Sequence, residues 1–177
     1  MVTSQELVKA LGSRVAIKRK ADAGELVSLG SGLYASPSID PFIAAVVATA
    51  RHYPKAVISS FTALVLHKLS DEAISQIDVD IEKSSMIRNR LLRVHRVTKS
   101  RLTGITSMKF QGDKIKIYDV ERTLCEAYKL DPAGPVFFKA LKRYLKTYPV
   151  KPEAIHTYDK ALGTQTLLHL QQELADA

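Results

Sequence analysis

The chain has 177 residues, with 26 Lys and Arg against 18 Asp and Glu, one Cys and no Trp. An apolar content of 46% is enough to bury a core and 25% charged residues is ordinary for globular proteins, which excludes a disordered chain. The single cysteine, Cys125, excludes an internal disulfide scaffold and a Cys-rich zinc site, and it favours a reducing, cytoplasmic compartment. No secretory signal is predicted, and the longest apolar run, 42–50, is about half of the ~18 residues that a membrane span requires.

Two short helices are predicted at the start of the chain. Thr3 with Glu6 three residues later has the capping-box spacing and begins a helix that ends near Leu11. Ser13 caps a second helix, 14–23, which ends at a glycine. Three apolar side chains of this second helix are expected to face the core: Val15, Ile17 and Ala21.

A hairpin follows, with strands at 25–29 and 33–36 around a glycine-rich turn. Helix, short break, helix and hairpin is the order of a helix-turn-helix with a wing, whose second helix enters the major groove of DNA. The candidate DNA contacts of this segment are Arg14, Lys18, Arg19 and Lys20 on the helix and Ser31 in the wing. The alternative is that the basic helix is only a solvated surface.

After residue 37 the sequence predicts an α+β unit with an antiparallel sheet and C-terminal helices. Asp40 caps a largely apolar helix that begins with Pro41. The further predicted elements are a strand at 56–58, a helix from 59 or 60 to 67, strands near 77–82, 91–97, 104–109 and 114–118, and helices at 120–130, 135–147, 152–162 and 165–175. The predicted division is a DNA-binding module, 1–37, and a second domain, 38–177.

The positive charge is concentrated in residues 81–118, which carry ten basic and two acidic side chains, a net charge equal to the +8 of the whole chain. One hypothesis is a phosphate-binding surface, since Lys and Arg attract a polyanion of any sequence. Its candidate contacts are Arg88, Arg90, Arg93 and Arg96. The other hypothesis is mutual neutralisation, in which Arg93 and His95 pair across the sheet with the acids of strand 77–82.

Those acids, Asp78, Asp80 and Glu82, alternate along one face of the predicted strand. Alternating carboxylates can hold Mg²⁺ for phosphoryl transfer, but an exposed polar strand face gives the same pattern. Four basic residues of the helix at 135–147 line one of its faces, either as a second polyanion contact or as a solubilising surface: Lys139, Lys142, Arg143 and Lys146. Glu121 and Arg122 are expected to form an ion pair, Cys125 to be a small buried side chain, and His67 to be packed and hydrogen-bonded.

Three segments, in this order, resemble the AbiEi-type antitoxins, transcriptional regulators of type IV toxin–antitoxin and phage-defence systems. Residues 24–34 are similar to the family's wing, in which a Gly-x-Leu stretch leads to Gly-Val-Tyr. Residues 58–69 are similar to its Ser-x-x-x-Ala-Leu-x-x-His-Gly-Leu helix, and residues 119–126 to its Glu-Arg-Thr-Leu-x-Asp segment. Lys68 and Glu126 stand where the family has Gly and Asp.

The resemblance implies a winged-helix-like module whose first helix is missing, followed by an antitoxin-like domain. It further implies a cytoplasmic autorepressor that binds its own promoter as double-stranded DNA and opposes a nucleotidyltransferase-like toxin without forming a stable complex with it. Under this hypothesis the protein is not an enzyme and uses no metal or other cofactor. Two other functions stay open: a metal-dependent nucleic-acid enzyme that uses Asp78 and Asp80, and an interaction protein that does not bind DNA.

Overall fold

The chain is α+β, as predicted, in a computed structural model that describes residues 1–30 and 32–176. The elements are, in order, β1 (Val2–Thr3), α1 (Ser4–Leu11), α2 (Arg14–Asp22), β2 (Val27–Gly30), β3 (Leu33–Ala35), α3 (Pro41–His52), β4 (Val57–Ile58), α4 (Ser60–Leu66), β5 (Ile77–Glu82), β6 (Leu92–Val97), a 3₁₀ turn (Lys99–Arg101), β7 (Ile105–Phe110), β8 (Asp113–Tyr118), α5 (Val120–Leu130), α6 (Pro135–Thr147), α7 (Pro152–Leu162) and α8 (Thr166–Ala175).

Local capping determines where the first helices begin and end. The capping box at α1 is complete, because Glu6 N–H donates to Thr3 Oγ1 at 3.3 Å while Thr3 N–H donates to the Glu6 carboxylate at 2.7 Å. The helix ends at Gly12, whose φ of 81° is the left-handed conformation that glycine adopts without strain. Ser13 Oγ then accepts from Ala16 N–H at 3.2 Å and starts α2. The predicted positions of both helices are confirmed.

The first sheet has the strand order β1-β3-β2, and all of its pairs are antiparallel. It packs on α3, because Leu29 and Leu33 form one buried cluster with Ala44 and Ala48 of that helix. The three-stranded sheet therefore shares its core with the first helix of the predicted second domain, and the division at residue 37 stays a prediction.

The second sheet has the strand order β6-β5-β4-β8-β7. Pairs β4–β5 and β7–β8 are antiparallel, whereas β4–β8 and β5–β6 are parallel, so this sheet is mixed where the sequence predicts an antiparallel one. For β5 and β6 the difference arises because loop 83–91 runs back along the sheet before β6 begins. Side-chain alternation fixes the faces of a strand but carries no information on the direction of its partner.

The two faces of the second sheet are covered by different helices. Ile77, Val79 and Ile81 pack in one cluster with Val46 of α3. The opposite face meets α4 where Thr62 donates to Asp78, and α5 where Arg122 lies over Tyr118. Behind these helices a larger apolar core joins α5 to the three C-terminal helices. Within residues 1–30 and 32–176, no helix combines the length and the apolarity needed to cross a membrane.

Candidate nucleic-acid interface

Helix α2 presents a basic face to solvent. Arg14, Lys18 and Arg19 are exposed, and in the described part of the chain none has an acidic group within 4.0 Å. Lys20 differs, because its ammonium is paired with Glu25. Ile17 is buried as predicted, but Val15 is 61% exposed, so its predicted place in the core is wrong. The exposed residues follow the helical period, and Val15 lies beside Arg14 on that outer face.

The tip of the β2–β3 hairpin lies against the start of α1 and against loop 83–91. Ser31 lies outside the described residues. The glycines on either side have φ values of 86° and 75°. The Gly32 carbonyl accepts from Ser4 N–H at 2.7 Å, and a Cβ built on Gly30 would lie 3.7 Å from Asn89 Nδ2.

Loop 83–91 places Arg88 and Arg90, which flank Asn89, next to the hairpin tip. Leu91 packs against the cluster that contains Leu29 and Leu33, so the contact is an apolar one as well. Arg88 and Arg90 are exposed. The two segments predicted separately as a wing and as a basic block are therefore neighbours in the fold, which nothing local in the sequence indicates.

Hydrogen bonds fix the backbone that carries these arginines. Asn89 Oδ1 accepts from Leu91 N–H at 2.9 Å, and Asn89 Nδ2 donates to Tyr53 Oη at 3.3 Å. The Arg90 carbonyl accepts from Gln76 Nε2 at 3.0 Å. The loop is thus held at both the hairpin and the sheet, while the two guanidinium groups extend into solvent.

The other two candidate contacts lie on β6, at the edge of the sheet. The registers pair Asp78 with Arg93 and Asp80 with His95, as the neutralisation hypothesis requires. An Arg93 nitrogen lies 3.6 Å from Asp78 Oδ1. Arg96 is exposed and lies on the opposite face of the strand from Arg93.

Ion pairs within 4.0 Å distinguish the two hypotheses for residues 81–118. Of the ten basic side chains in this block, Arg93 alone has an acidic group within 4.0 Å among the residues that the structure describes. One of the block's two acids, Asp113, is held by Arg51 from outside it, with Arg51 Nε donating to Asp113 Oδ1 at 2.9 Å. Neutralisation therefore accounts for Arg93 and His95. The other nine basic side chains of the block have no acidic group within 4.0 Å among the described residues.

The acids of β5 do not form an exposed face. Asp78 and Asp80 are only 2% and 4% exposed, because β5 is a central strand whose polar side is covered by α4 and α5. Asp78 accepts from His95 Nε2 at 3.0 Å and from Thr62 Oγ1 at 3.4 Å. Tyr118 Oη donates to Asp80 at 2.9 Å. The predicted solvent exposure of this face is wrong.

A second buried pair completes this polar layer. Arg122, 1% exposed, lies 2.9 Å from Glu126 Oε1, and its guanidinium stacks 4.3 Å from the ring centre of Tyr118. Glu126 also accepts from Ser60 N–H at 3.0 Å. The hydrogen bond to Asp78 raises the pKa of His95, while burial raises the pKa values of Tyr118 and Glu126.

The carboxylates of this layer are held by protein donors. In residues 1–30 and 32–176, no group of three or more His, Cys, Asp or Glu side chains is arranged to hold a metal ion. Glu82, the third acid of the alternating pattern, is exposed at the end of β5. The polar layer joins β5, β6 and β8 to α4 and α5.

Basic residues of the C-terminal region pair with acids of other segments, and Asp71 lies in the loop between α4 and β5. Lys139 and Arg143 both bind Asp71, and the two hydrogen bonds lower the pKa of this carboxyl to about 2. The predicted Glu121–Arg122 pair is wrong, because successive helix residues face different directions. Glu121 instead accepts from Tyr144 Oη at 3.2 Å and lies 3.3 Å from Lys151 Nζ.

Two single-residue predictions in this region are confirmed. Cys125 is fully buried, and burial raises the pKa of its thiol to about 12. His67 is buried, and its Nε2 lies 2.7 Å from the Tyr118 carbonyl, to which it donates.

Comparison of the sequence with models of known protein families gives no match, and comparison with curated proteins gives none either. The resemblance to the AbiEi-type antitoxins therefore rests on the three sequence segments, and the family stays a prediction.

Proposed function

We propose that the protein binds double-stranded DNA and acts as the autorepressor and antitoxin of a type IV toxin–antitoxin operon. Its binding site would be in its own promoter, and its effect would oppose a nucleotidyltransferase-like toxin without a stable complex. The toxin relation and a cytoplasmic location rest on the resemblance, whereas the proposal of DNA binding also has support from the geometry.

The observation that carries the DNA-binding proposal is the uncompensated charge beside the hairpin tip. Arg88 and Arg90 are exposed, without an acid within 4.0 Å in the described residues. Their loop places Asn89 beside Gly30 and packs Leu91 on the cluster that contains Leu29 and Leu33 of the hairpin. Phosphate contacts require such free guanidinium groups, because a paired one must first give up its own carboxylate. Helix α2 supports the proposal as well, because its basic outer face is of the kind that enters a major groove.

The test is binding to DNA from upstream of the gene, measured by fluorescence anisotropy against a scrambled duplex at several salt concentrations. Affinity should fall steeply between about 50 and 200 mM salt, as expected when several phosphate contacts release counterions. The double variant Arg14→Ala/Lys18→Ala should lose the preference for the promoter duplex and keep weak, salt-sensitive binding to both.

The matched control is Lys142→Ala/Lys146→Ala, which removes two exposed lysines from the face of α6 that this proposal treats as a solubilising surface. It should bind like the unaltered protein. Affinity that hardly changes with salt would refute the electrostatic basis of the proposal. Equal losses from the α2 and α6 variants would show that α2 has no special part in recognition.

A further inference from the structure

Strand β7 is the edge of the second sheet opposite β6, and its outer side is unpaired in the part of the chain that the structure describes. On its inner side, Asp119 N–H donates to the Gly104 carbonyl at 2.8 Å, so these residues are a hydrogen-bonded pair of the antiparallel ladder with β8. Such pairs alternate with non-hydrogen-bonded ones, and the backbone groups of Ile105, Ser107 and Lys109 therefore point away from β8. The edge offers their N–H donors and carbonyl acceptors to another strand.

The side chains along this edge belong to a basic face. Ser107 lies opposite Lys116, Lys109 lies opposite Lys114, and all four side chains are exposed. Residues opposite each other in a strand pair lie on the same side of the sheet, as do residues two apart along a strand, so the three lysines share one face. None of the three has an acidic group within 4.0 Å among the described residues.

The pairing of Lys109 with Lys114 is unfavourable in the isolated chain. By the alternation of the ladder it is a non-hydrogen-bonded pair, in which the two side chains lie closer together than in a hydrogen-bonded one. Like charges directly opposite each other destabilise a sheet. Together with Lys116, this pair forms a group of positive charges that the fold does not compensate, and an acidic ligand would relieve their repulsion.

The backbone of the edge distinguishes between the possible acidic ligands. A phosphate backbone offers acceptors alone, so it would meet the outward carbonyls of Ile105, Ser107 and Lys109 unfavourably. An extended peptide satisfies the N–H and the carbonyl groups together, as in the addition of a strand to a sheet edge. A second copy of this chain is a poor occupant, because lysines on an edge strand repel the same lysines of another copy.

We propose that the edge of β7 binds an extended acidic segment of another protein, which adds to the second sheet as a further strand. Acidic side chains at alternate positions of that segment would lie on the side of the sheet that carries Lys109, Lys114 and Lys116. The positions between them would lie on the other side, with the half-buried Met108 and Phe110, and would be apolar. The proposal concerns a surface separate from the DNA-binding one, and it can hold whether or not the protein binds DNA.

The test uses a fluorescein-labelled heptapeptide of alternating glutamate and valine, with fluorescence anisotropy of its mixture with the full-length protein as the measurement. One peptide should bind per chain, about ten-fold or more tightly than a heptapeptide of alternating lysine and valine. Two further versions carry N-methyl groups, one on the glutamate nitrogens and the other on the valine nitrogens. Alternate residues of a strand direct their backbone groups to opposite sides, so an added strand bonds to β7 through one of these sets. One N-methylated version should therefore lose binding while the other keeps it.

Protein variants test the edge and the charge separately. Ser107→Pro removes one outward N–H, a change that an edge strand tolerates, and it should weaken peptide binding about ten-fold relative to Ser107→Ala. Lys114→Gln/Lys116→Gln removes two charges from the basic face and should weaken binding several-fold. Its matched control, Lys142→Gln/Lys146→Gln on α6, should bind like the unaltered protein. The lysine variants and the N-methylated peptides serve if Ser107→Pro unfolds by circular dichroism.

Equal binding of the two N-methylated peptides, or equal binding by Ser107→Pro and Ser107→Ala, would overturn the proposal, because charge alone would then hold the peptide. Loss of affinity for DNA but not for the peptide in Lys114→Gln/Lys116→Gln would overturn it in favour of a nucleic-acid contact. A dimer in analytical ultracentrifugation that Ser107→Pro dissociates would overturn it in favour of a second copy. The peptide measurements contain no DNA, so their failure leaves the proposed function untouched.

Discussion

Individual buried charges hold α4 and α5 to the second sheet. Arg122 and Glu126 are both at least nine-tenths buried, and they lie close to Asp80 and Tyr118. A buried pair adds little net stability over apolar residues, but removal of one partner leaves the other charge without compensation. Their contribution is therefore best measured by breaking the pair.

Arg122→Met is expected to lower the free energy of unfolding by about 3–5 kcal/mol, because the buried Glu126 loses its ion-pair partner. Urea unfolding followed by circular dichroism measures this loss. Glu126→Gln should cost less, since the amide oxygen still accepts from Ser60 N–H. Lys142→Met on exposed α6 is the control and should stay within about 0.5 kcal/mol of the unaltered protein. A small effect of Arg122→Met would mean that the pair is not buried in solution.

His95 gives the protein a pH dependence of stability. Its hydrogen bond to Asp78 raises its pKa in the folded state, so protonated His95 stabilises the fold below the ordinary value of about 6.5. This contribution is lost as the pH rises through the folded pKa. The free energy of unfolding of the unaltered protein should therefore fall, relative to that of His95→Gln, as the pH rises from about 6 to 8.5. His156→Gln, at an exposed position, should follow the unaltered protein.

At the scale of elements, the sequence predicts positions well and partners poorly. The N-termini of α1 and α5 follow from local caps. Thr3 accepts from Glu6 N–H and Asp119 accepts from Arg122 N–H, and each hydrogen bond spans three residues. The mixed sheet and the burial of Asp78 depend on which strands become neighbours. Alternating acids on an edge strand and on a central strand have the same pattern, and only the covering helices distinguish them.

The meeting of the hairpin with loop 83–91 could not be predicted for the same reason. Gly30 and Asn89 are far apart in the chain, and each has an ordinary local explanation as a turn residue. Residue type alone would place Arg93 with Arg88 and Arg90 as a DNA contact. Only the strand register shows that Arg93 lies opposite the buried Asp78.

Asn89 is an element-scale test of this arrangement, because it is uncharged and holds the loop through Tyr53 and Leu91. Asn89→Ala should weaken binding to promoter DNA several-fold, since the loop then has to be ordered on binding. The slope of log affinity against log salt should not change, because no phosphate contact loses its charge. Ser84→Ala in the same loop is the control. A changed slope would mean that Asn89 acts through charge and not through the shape of the loop.

At the scale of the whole molecule, the fold sorts the basic residues into free and paired groups. Arg88 and Arg90 extend from the loop beside the hairpin tip, and Arg93 faces the buried Asp78 on the edge strand. Sequence position places all three within six residues, from 88 to 93, so charge density alone would treat them alike. The proposed DNA-binding surface combines the outer face of α2, the hairpin and the 88–90 segment, and it leaves Arg93 out.

The salt dependence of DNA binding separates the free arginines from the paired one. Arg88→Ala/Arg90→Ala should weaken binding to promoter and scrambled duplexes alike and flatten the slope of log affinity against log salt by about two, at roughly 0.9 per phosphate contact. Arg93→Ala should leave the slope unchanged and instead lower the midpoint of urea unfolding, because within residues 1–30 and 32–176 Asp78 then keeps His95 alone as a cationic partner. Should Arg93→Ala flatten the slope while the double variant does not, the edge strand would be the DNA-contacting surface and the hairpin loop would have no part in it.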